Sequence, residues 1–223
     1  MKIWIVIPAY NEASVIRRVV VDVKQKYPSV VVVDDRSKDS TASEAEAGGA
    51  KVLQHIINRG QGAALKTGIV YALRQGADII VTFDADGQHR VEDIAAMVAP
   101  IEQGVVEVTL GSRFLNSSSN VPPLRKLILQ VGIVFTRFFS RINVTDTHNG
   151  FRAFSRLAAE KIRIVQDRMA HASEILDEIT RHQLRYQEIP VTITYSYYSR
   201  GKGQSSWSMF KIAAKYMMHK ISH

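Results

Sequence analysis

The sequence predicts an α/β fold in which a mostly parallel central sheet carries helices on both of its faces. Short apolar runs alternate along the chain with helical patterns, which is the arrangement of consecutive β-α units. The runs are almost continuously apolar, as expected for strands that are covered on both faces. A length of 223 residues, 46% of them hydrophobic, suits one domain of ordinary size with a substantial core.

The first half of the chain supplies most of these units. The predicted strands are 3–7, 30–33, 51–57 and 78–83, and a fifth apolar run covers 106–110. Helical patterns lie between them at 11–23, 42–47 and 63–74. Pro8 is expected to end the first strand. A polar segment follows the carboxyl end of each of the first four strands.

Composition excludes several classes of protein. The chain has no cysteine, so it has no disulfide, no thiolate zinc site and no cysteine nucleophile. Met1-Lys2 is followed by only five apolar residues before Pro8, too few for a signal-peptide core, and we expect a cytoplasmic protein. No apolar run approaches the roughly 20 residues that span a bilayer. The formal charge of +8 favours an anionic partner such as phosphate, anionic lipid or nucleic acid.

Four polar clusters are predicted to meet at one edge of the sheet, because ligands bind parallel sheets beyond the carboxyl ends of the strands. They lie at 8–12, 34–35, 58–62 and 84–89. In the last cluster, Asp84 and Asp86 flank a single alanine, and Gln88 follows after Gly87. Carboxylate and amide oxygens suit Mg²⁺ or Mn²⁺. An isolated pair of this kind is also a common polar turn, so the neighbouring motifs decide between the two interpretations.

Two familiar nucleotide-binding patterns are absent. The segment after the first strand lacks the G-x-G-x-x-G of dinucleotide-binding proteins. The glycine-rich segment at 60–68 has Leu65 before Lys66-Thr67, where a P-loop needs glycine. A Rossmann dehydrogenase and a Walker-type NTPase are therefore disfavoured.

Several ordered motifs together resemble the family 2 GT-A glycosyltransferases. In the first half of the chain they are Ile7–Glu12, Val33–Thr41, Asn58–Ala64 and Phe83–His89. Further on, the chain resembles the polyprenyl-phosphate branch, typified by dolichol-phosphate mannosyltransferase, at Gly111–Phe114, Asp146–Arg152, Glu174, Glu188–Val191 and Tyr195–Ser206. The resemblance covers nearly the whole chain. It implies a nucleotide-diphosphate sugar donor, a divalent cation and inversion at the anomeric carbon.

The resemblance also assigns the donor residues. Pro8, Tyr10 and Glu12 match the first nucleotide-contacting loop, and Asp35 matches the acidic residue that recognises the base. Asp84 would face the donor, while Asp86 and Gln88 would hold Mg²⁺ or Mn²⁺. Asp34-Asp35 is equally explained as a helix-capping turn, because capping and binding use the same residue types. Gln61 departs from the lysine often present in this loop of the family, so a direct charge contact to the donor is in doubt there.

Basic residues are assigned to the acceptor and to the diphosphate. Arg113 resembles the family's phosphate-binding arginine, and Arg125 is a second candidate, since the planar guanidinium suits a phosphate. Together with Asp84 and Asp86, Arg113 forms the predicted catalytic set. The glycine-punctuated loop 198–205 would bring Arg200 and Lys202 over the donor diphosphate. The alternatives are exposed surface arginines and a plain linker.

A phosphate acceptor would make a strong general base dispensable, because its second pKa near 6 leaves it largely dianionic at neutral pH. Glu174 is expected to orient neighbouring groups or to have a structural role. His89 and His148 are weaker candidates, because a histidine near polar turns is more often simply hydrogen-bonded.

Two apolar and basic stretches are candidates for contact with a membrane surface. One covers 124–144, and the other, 207–221, has the pattern of a basic amphipathic helix. Each could instead pack on the core of the sheet. We therefore expect a catalytic domain at 1–206 and a C-terminal amphipathic helix at 207–223, peripheral on the inner face of the membrane or beside a membrane-protein partner.

The predicted function is transfer of a sugar from a UDP- or GDP-linked donor to a polyprenyl phosphate, either dolichyl or undecaprenyl. Two rivals stay open. A related family 2 enzyme could act on a hydroxyl of a glycan or lipid-linked oligosaccharide in cell-surface polysaccharide synthesis. A basic nucleotide- or nucleic-acid-binding adaptor is the non-enzymatic rival, but no recognisable nucleic-acid module is present, and we expect no nucleic-acid partner.

Overall fold

The computed structural model describes residues 1–115, 142–147 and 149–194. In chain order the elements are β1 (Ile3–Ala9), α1 (Ile16–Lys24), β2 (Ser29–Asp34), α2 (Thr41–Ala47), β3 (Lys51–Gln54), α3 (Gln61–Arg74), β4 (Ile79–Thr82), α4 (Asp93–Glu102), β5 (Val108–Ser112), β6 (Arg152–Ser155), α5 (Arg156–Lys161), α6 (His171–Arg181) and β7 (Tyr186–Pro190).

Within these residues, seven strands form one sheet in the order β3-β2-β1-β4-β6-β5-β7. β1 pairs in parallel with β2 and β4, β2 with β3, and β5 with β7. β6 is antiparallel to both of its neighbours, β4 and β5. The prediction of a mostly parallel sheet is confirmed, and β6 is its one reversed strand among the seven described.

Apolar side chains cover both faces of the sheet. One core layer packs α1, α2 and α4 against Ile5 and Ile7 of β1, and the other packs α3, α5 and α6 against Trp4 and Val6. Alternate residues of one strand thus serve opposite layers, which explains why β1 is apolar throughout. In α1 the buried side chains recur with helical spacing, at Ile16, Val19, Val20 and Val23. Helices on both faces are therefore confirmed.

The ends of several elements differ from the prediction. β1 continues through Pro8 to Ala9, and Pro8 is paired in register with Val33. α1 begins at Ile16 and not near residue 11, because Asn11 has a left-handed backbone with φ 55° and forms a loop. β3 ends at Gln54, since His55 turns toward Asp35. β5 begins two residues later than predicted.

The structure leaves some expectations untested. Arg125, His148, Arg200, Lys202 and the segment 207–223 lie outside the described residues, as does the boundary at 206. Among the residues that are described, no helix has the length and apolar character needed to cross a membrane.

Candidate active site

The polar clusters do meet at the carboxyl edge of the sheet. The edge collects the segments after β1, β2, β4 and β5 and the first turn of α3. The reversed strand β6 adds a further segment, because its beginning lies where its neighbours end. Residues 149–151, which are far away in sequence, are thereby brought beside the loop after β4.

Asp84 lies in the loop after β4, and two side chains hold its carboxylate. His89 Nε2 donates to Asp84 Oδ2 at 2.9 Å, and Gln61 Nε2 donates to Asp84 Oδ1 at 3.2 Å. The backbone of Gly150 packs so closely that an added Cβ would lie 2.6 Å from Oδ1 and 2.8 Å from Oδ2. The Asp84 side chain is still 29% exposed. This carboxylate is therefore fixed in position and remains accessible to a substrate.

His89 is itself positioned by aromatic contacts. Its ring lies 5.3 Å from Phe83 and 4.9 Å from Phe151, measured between ring centroids. The side chain is 3% exposed. Its Nδ1 has no hydrogen-bond partner in the described part of the chain. The hydrogen bond to Asp84 is thus the polar contact that fixes this ring.

The two aspartates of the loop have opposite pKa shifts. Burial alone would raise the pKa of Asp84, but His89 and then other nearby positive groups, including Arg113, outweigh burial and lower it. Burial and the negative charge of Asp84 raise the pKa of Asp86 to about 6, and Glu12 adds to the rise. Asp84 is therefore ionised, and Asp86 holds its proton far more readily than an ordinary aspartate.

The oxygen atoms of this loop are of the type that Mg²⁺ and Mn²⁺ bind. Three carboxylates, Glu12, Asp84 and Asp86, interact electrostatically here, and a cation would relieve their repulsion. Gln88 donates from its backbone nitrogen to Asp86 Oδ1 at 3.0 Å and from Nε2 to Oδ2 at 2.7 Å. The amide oxygen of Gln88 is then the atom left for an ion. No cluster of three or more His, Asp or Glu within residues 1–115, 142–147 and 149–194 could hold a metal by itself.

The loop after β1 is tied to the loop after β2. Asn11 donates from its backbone nitrogen to Ser37 Oγ at 2.9 Å, and Glu12 donates from its backbone nitrogen to Thr41 Oγ1 at 2.8 Å. Pro8 is buried within β1, whereas Tyr10 is 42% exposed at the edge. Of the three predicted donor residues in this loop, Tyr10 therefore presents the most open surface.

Asp35 is 3% exposed, and both of its carboxylate oxygens accept hydrogen bonds from the protein. Oδ1 accepts from His55 Nδ1 at 2.7 Å and from the backbone nitrogen of Arg59 at 2.9 Å. Oδ2 accepts from the backbone nitrogen of Gly60 at 2.6 Å. The carboxylate therefore clamps the segment 55–60 onto the end of β2. Its predicted contact with a nucleotide base stays a prediction.

Arg113 follows β5 and is buried with Asp146. Arg113 donates to Asp146 Oδ2 from Nε at 2.6 Å and from its backbone nitrogen at 3.1 Å. The two side chains are only 9% and 1% exposed. A charge buried to this extent needs a partner, and Asp146 supplies one while also fixing the direction of the guanidinium.

Glu188 of β7 holds the segment that carries Asp146. Its Oε1 accepts from the backbone nitrogens of Thr145 at 2.7 Å and Asp146 at 3.2 Å, and from Thr145 Oγ1 at 2.9 Å. Thr145 Oγ1 also lies 2.6 Å from the hydroxyl of Ser112, at the end of β5. A continuous polar network therefore links β7, the segment 143–147 and Arg113.

Known proteins resemble this chain in sequence and in structure. The family model described as glycosyl transferase family 2 matches residues 4–163. A UDP-N-acetylglucosamine–dolichyl-phosphate N-acetylglucosaminyltransferase of Methanococcus voltae is 34% identical, over 98% of this chain and 96% of its own length. The polyprenol monophosphomannose synthase of Mycolicibacterium smegmatis is 29% identical, over 94% of this chain and 84% of its own length.

The chain belongs to glycosyltransferase family 2. The family model covers most of its length, and the relatives confirm the resemblance to the polyprenyl-phosphate branch. A crystal structure of glucosyl-3-phosphoglycerate synthase from Mycobacterium tuberculosis with Mg²⁺ and UDP superposes with a TM-score of 0.77. It is 16% identical and covers 99% of this chain and 78% of the other. The protein is therefore a glycosyltransferase with a GT-A fold.

Sequence reasoning missed several residues that shape the site of this family 2 enzyme. Gln61, noted only as a departure from lysine, contacts Asp84 through its amide. Arg152 is 4% exposed and holds the loop before β6, since its Nη2 donates to the carbonyl oxygens of Thr147 at 3.3 Å and Ala172 at 3.1 Å. Burial lowers the pKa of Arg152 to about 10, so it remains charged. The sequence signal for this loop was the motif Asn149-Gly150-Phe151-Arg152, within the range Asp146–Arg152 that resembles the family.

Glu174 has structural contacts. Its carboxylate accepts from the backbone nitrogen of Val165 at 3.0 Å and from that of Gln166 at 2.9 Å. It thereby holds the segment that packs against the first turn of α3, where Ala63 donates to the carbonyl oxygen of Asp167 at 3.0 Å. These contacts agree with the expected orienting or structural role.

Proposed function

We propose that this glycosyltransferase moves a sugar from a nucleoside-diphosphate donor to a polyprenyl phosphate, with inversion and with the aid of Mg²⁺ or Mn²⁺. The observation that carries the proposal is the placement of Asp84, Asp86 and the buried Arg113–Asp146 pair at one edge of the sheet. A carboxylate site for the donor and a cationic site for a phosphate then face the same space. The names of the archaeal relative and of the mycobacterial relative described above support a polyprenyl phosphate as the acceptor.

The donor would bind across the ends of β1, β2 and β4. Pro8, Tyr10 and Glu12 are assigned to the nucleotide, with Tyr10 as the exposed surface on which a base can stack. Asp35 is assigned to the nucleotide base, and its carboxylate also holds the loop that contains Arg59 and Gly60. Asp84 is assigned to the sugar, because it is ionised, held by His89 and Gln61, and open to solvent. Arg200 and Lys202 are proposed to neutralise the diphosphate.

Asp86 and Gln88 would hold the cation. Bound there, a divalent ion supplies charge stabilisation for the leaving nucleoside diphosphate. Burial and the neighbouring ionised Asp84 raise the pKa of Asp86 to about 6, and a bound cation would relieve both effects. The Mg²⁺ in the structurally similar synthase supports this choice of ion.

Arg113 and Arg125 are assigned to the phosphate of the acceptor. The guanidinium of Arg113 is directed by Asp146, so it enters the reaction already oriented. A dianionic phosphate oxygen is a sufficient nucleophile at neutral pH, and the proposal therefore needs no general base from the protein. We place the enzyme at the membrane, because a polyprenyl phosphate resides in the bilayer, and we assign it to the cytoplasmic face.

The test is sugar transfer from a panel of UDP- and GDP-sugars to a short polyprenyl phosphate, with Mg²⁺, with Mn²⁺ and with a chelator. The proposal expects product from one donor only, and loss of that product in chelator. Transfer to a sugar hydroxyl with no use of the lipid phosphate would favour the rival acceptor class. Salt-dependent binding of RNA or DNA without turnover of any donor would favour the adaptor.

A further inference from the structure

Two consecutive isoleucines project into solvent at the donor end of the sheet. Ile56 is 91% exposed and Ile57 is 66% exposed, in the loop that follows β3. A single exposed aliphatic residue is ordinary, because much of any protein surface is apolar. Two adjacent, branched and largely exposed side chains form an apolar surface that leaves water only when a binding partner covers it.

The backbone of this loop is held rigidly at both ends. His55 donates from its backbone nitrogen to the carbonyl oxygen of Asp34 at 2.9 Å. Asn58 Nδ2 donates to the carbonyl oxygen of Asp35 at 2.9 Å, and the backbone nitrogens of residues 59 and 60 donate to the Asp35 carboxylate. Ile56 and Ile57 cannot fold back onto the core without breaking these bonds. The loop therefore presents the two side chains in a fixed position.

A second loop adds to the same surface. Arg59 pairs with Asp167 at 3.0 Å, and the backbone around Asp167 packs on Gly60, where an added Cβ would lie 2.7 Å from the Asp167 carbonyl oxygen. Two residues before Asp167, Val165 is 67% exposed. Ile56 and Ile57 on one loop and Val165 on the other are therefore exposed on two loops that an ion pair joins, and we group these three side chains as the aliphatic surface.

Two exposed arginines lie on segments that adjoin this aliphatic surface. Arg36 and Arg168 are exposed, and neither forms an ion pair with any acid in the described ranges. Arg36 follows the aspartate that clamps the loop, and the Arg168 side chain lies against Gly60. The acid Asp167 is already paired with Arg59. Exposed apolar side chains with guanidinium groups on adjoining segments suit a bilayer that contains anionic lipids.

We propose that Ile56, Ile57 and Val165, with Arg36 and Arg168, form a contact surface for an anionic membrane. The choice of a bilayer as the partner rests on the proposed function, since a polyprenyl phosphate acceptor lies in the membrane. The surface borders the same carboxyl edge as the Asp84 loop, so contact there brings the site close to the lipid. The isoleucines would enter the interface while the arginines stay at the head groups.

The experiment measures binding of the full chain to phosphatidylcholine vesicles, with and without phosphatidylglycerol, by sedimentation. The variant is Ile56→Ser with Ile57→Ser. The matched control is Val105→Ser with Leu157→Ser, which changes two aliphatic side chains that are 53% and 52% exposed near the opposite edge. A second variant, Arg36→Gln with Arg168→Gln, removes charge only. Circular dichroism checks that each variant is folded.

We expect the isoleucine variant to bind both kinds of vesicle about tenfold more weakly, because two apolar side chains no longer leave water. The segment 207–223, which the sequence predicts to be a membrane-surface helix, is unchanged, so binding is expected to weaken and not to vanish. The arginine variant should lose affinity only for vesicles with phosphatidylglycerol, and high salt should reproduce that loss. The control pair should bind like the unaltered chain.

Unchanged vesicle binding by the isoleucine variant would overturn the proposal. An equal loss in the control pair would also overturn it, because the effect would then not belong to this surface. If the unaltered chain is a dimer in light scattering and the isoleucine variant is a monomer, with vesicle binding intact, the surface would instead belong to contact with a second copy of the chain. None of these readouts uses sugar transfer, so they are independent of whether the proposed function holds.

Discussion

Gly150→Ala is the substitution that most directly probes the Asp84 site. The new methyl carbon would lie 2.6 Å from Asp84 Oδ1, while ordinary contact begins at 3.4 Å. Gly150 cannot easily retreat, because its carbonyl oxygen accepts from Thr82 Oγ1 at 2.6 Å. The carboxylate must therefore move by about 0.8 Å, the difference between the two distances, which disturbs its hydrogen bonds with His89 and Gln61.

A displacement close to 1 Å in a group that orients the substrate costs roughly a hundredfold in rate. We expect kcat of Gly150→Ala to fall by about that factor, with a smaller change in the KM of the donor. The assay is initial-rate sugar transfer from the donor that the panel identifies. Gly76→Ala is the matched control, because it adds the same methyl group where no atom lies within 4 Å.

The thermal stability of both variants should be measured beside their rates. Gly76 has a φ of +77°, so alanine there strains the backbone and lowers stability with little effect on turnover. If Gly150→Ala kept normal kcat and KM while Asp84→Ala lost activity, the close packing against Asp84 would have no catalytic consequence. That result would refute the reasoning.

Four further predictions concern the cation and the acceptor. Asp86→Ala should abolish cation-dependent turnover without unfolding the protein, which initial-rate sugar transfer with and without Mn²⁺ tests. In the unaltered chain, Mn²⁺ affinity should fall as pH drops below about 6, because the proton on Asp86 then competes, and calorimetric titration at several pH values tests this. Arg113→Ala should raise the KM of the lipid phosphate by about tenfold or more and leave donor binding unchanged, and a change confined to the donor would contradict its assignment. Glu188→Ala should raise the same KM by about tenfold, because the segment carrying Asp146 loses three hydrogen bonds, and Glu188→Gln should restore part of it.

Much of the fold could be predicted because its strands are buried on both faces. Val30 to Val33 and Ile79 to Val81 are apolar without interruption, and such runs between helical patterns leave few alternatives to a covered parallel sheet. The ends of elements were less predictable. Pro8 cannot donate a ladder bond, but it stays in β1 in register with Val33, at a point where the pairing of β1 with β4 has already ended at Val6. The left-handed Asn11 delays the first helix.

The site was predictable only where residues are close in sequence. Asp84, Asp86 and Gln88 form one short motif, and the structure confirms that the loops expected beside them share their edge. The contacts of Asp84 with Gln61 and Gly150 depend on the positions of α3 and β6, which no local pattern specifies. For the same reason, no local pattern predicts that both carboxylate oxygens of Asp35 accept hydrogen bonds from the segment 55–60.

The reversed direction of β6 has a consequence for how acceptor recognition can vary. Since β5 and β6 are antiparallel neighbours, the chain between Ser112 and Arg152 leaves the sheet at the carboxyl edge, where Asp84 lies, and returns to that same edge. One end is anchored by the bond of Arg113 to Asp146, and the other by the close packing of Gly150 against Asp84. Residues inserted, removed or exchanged within this excursion would leave the strand register intact. Related enzymes could thereby adapt to new acceptors by altering one connection while the donor carboxylates stay in place.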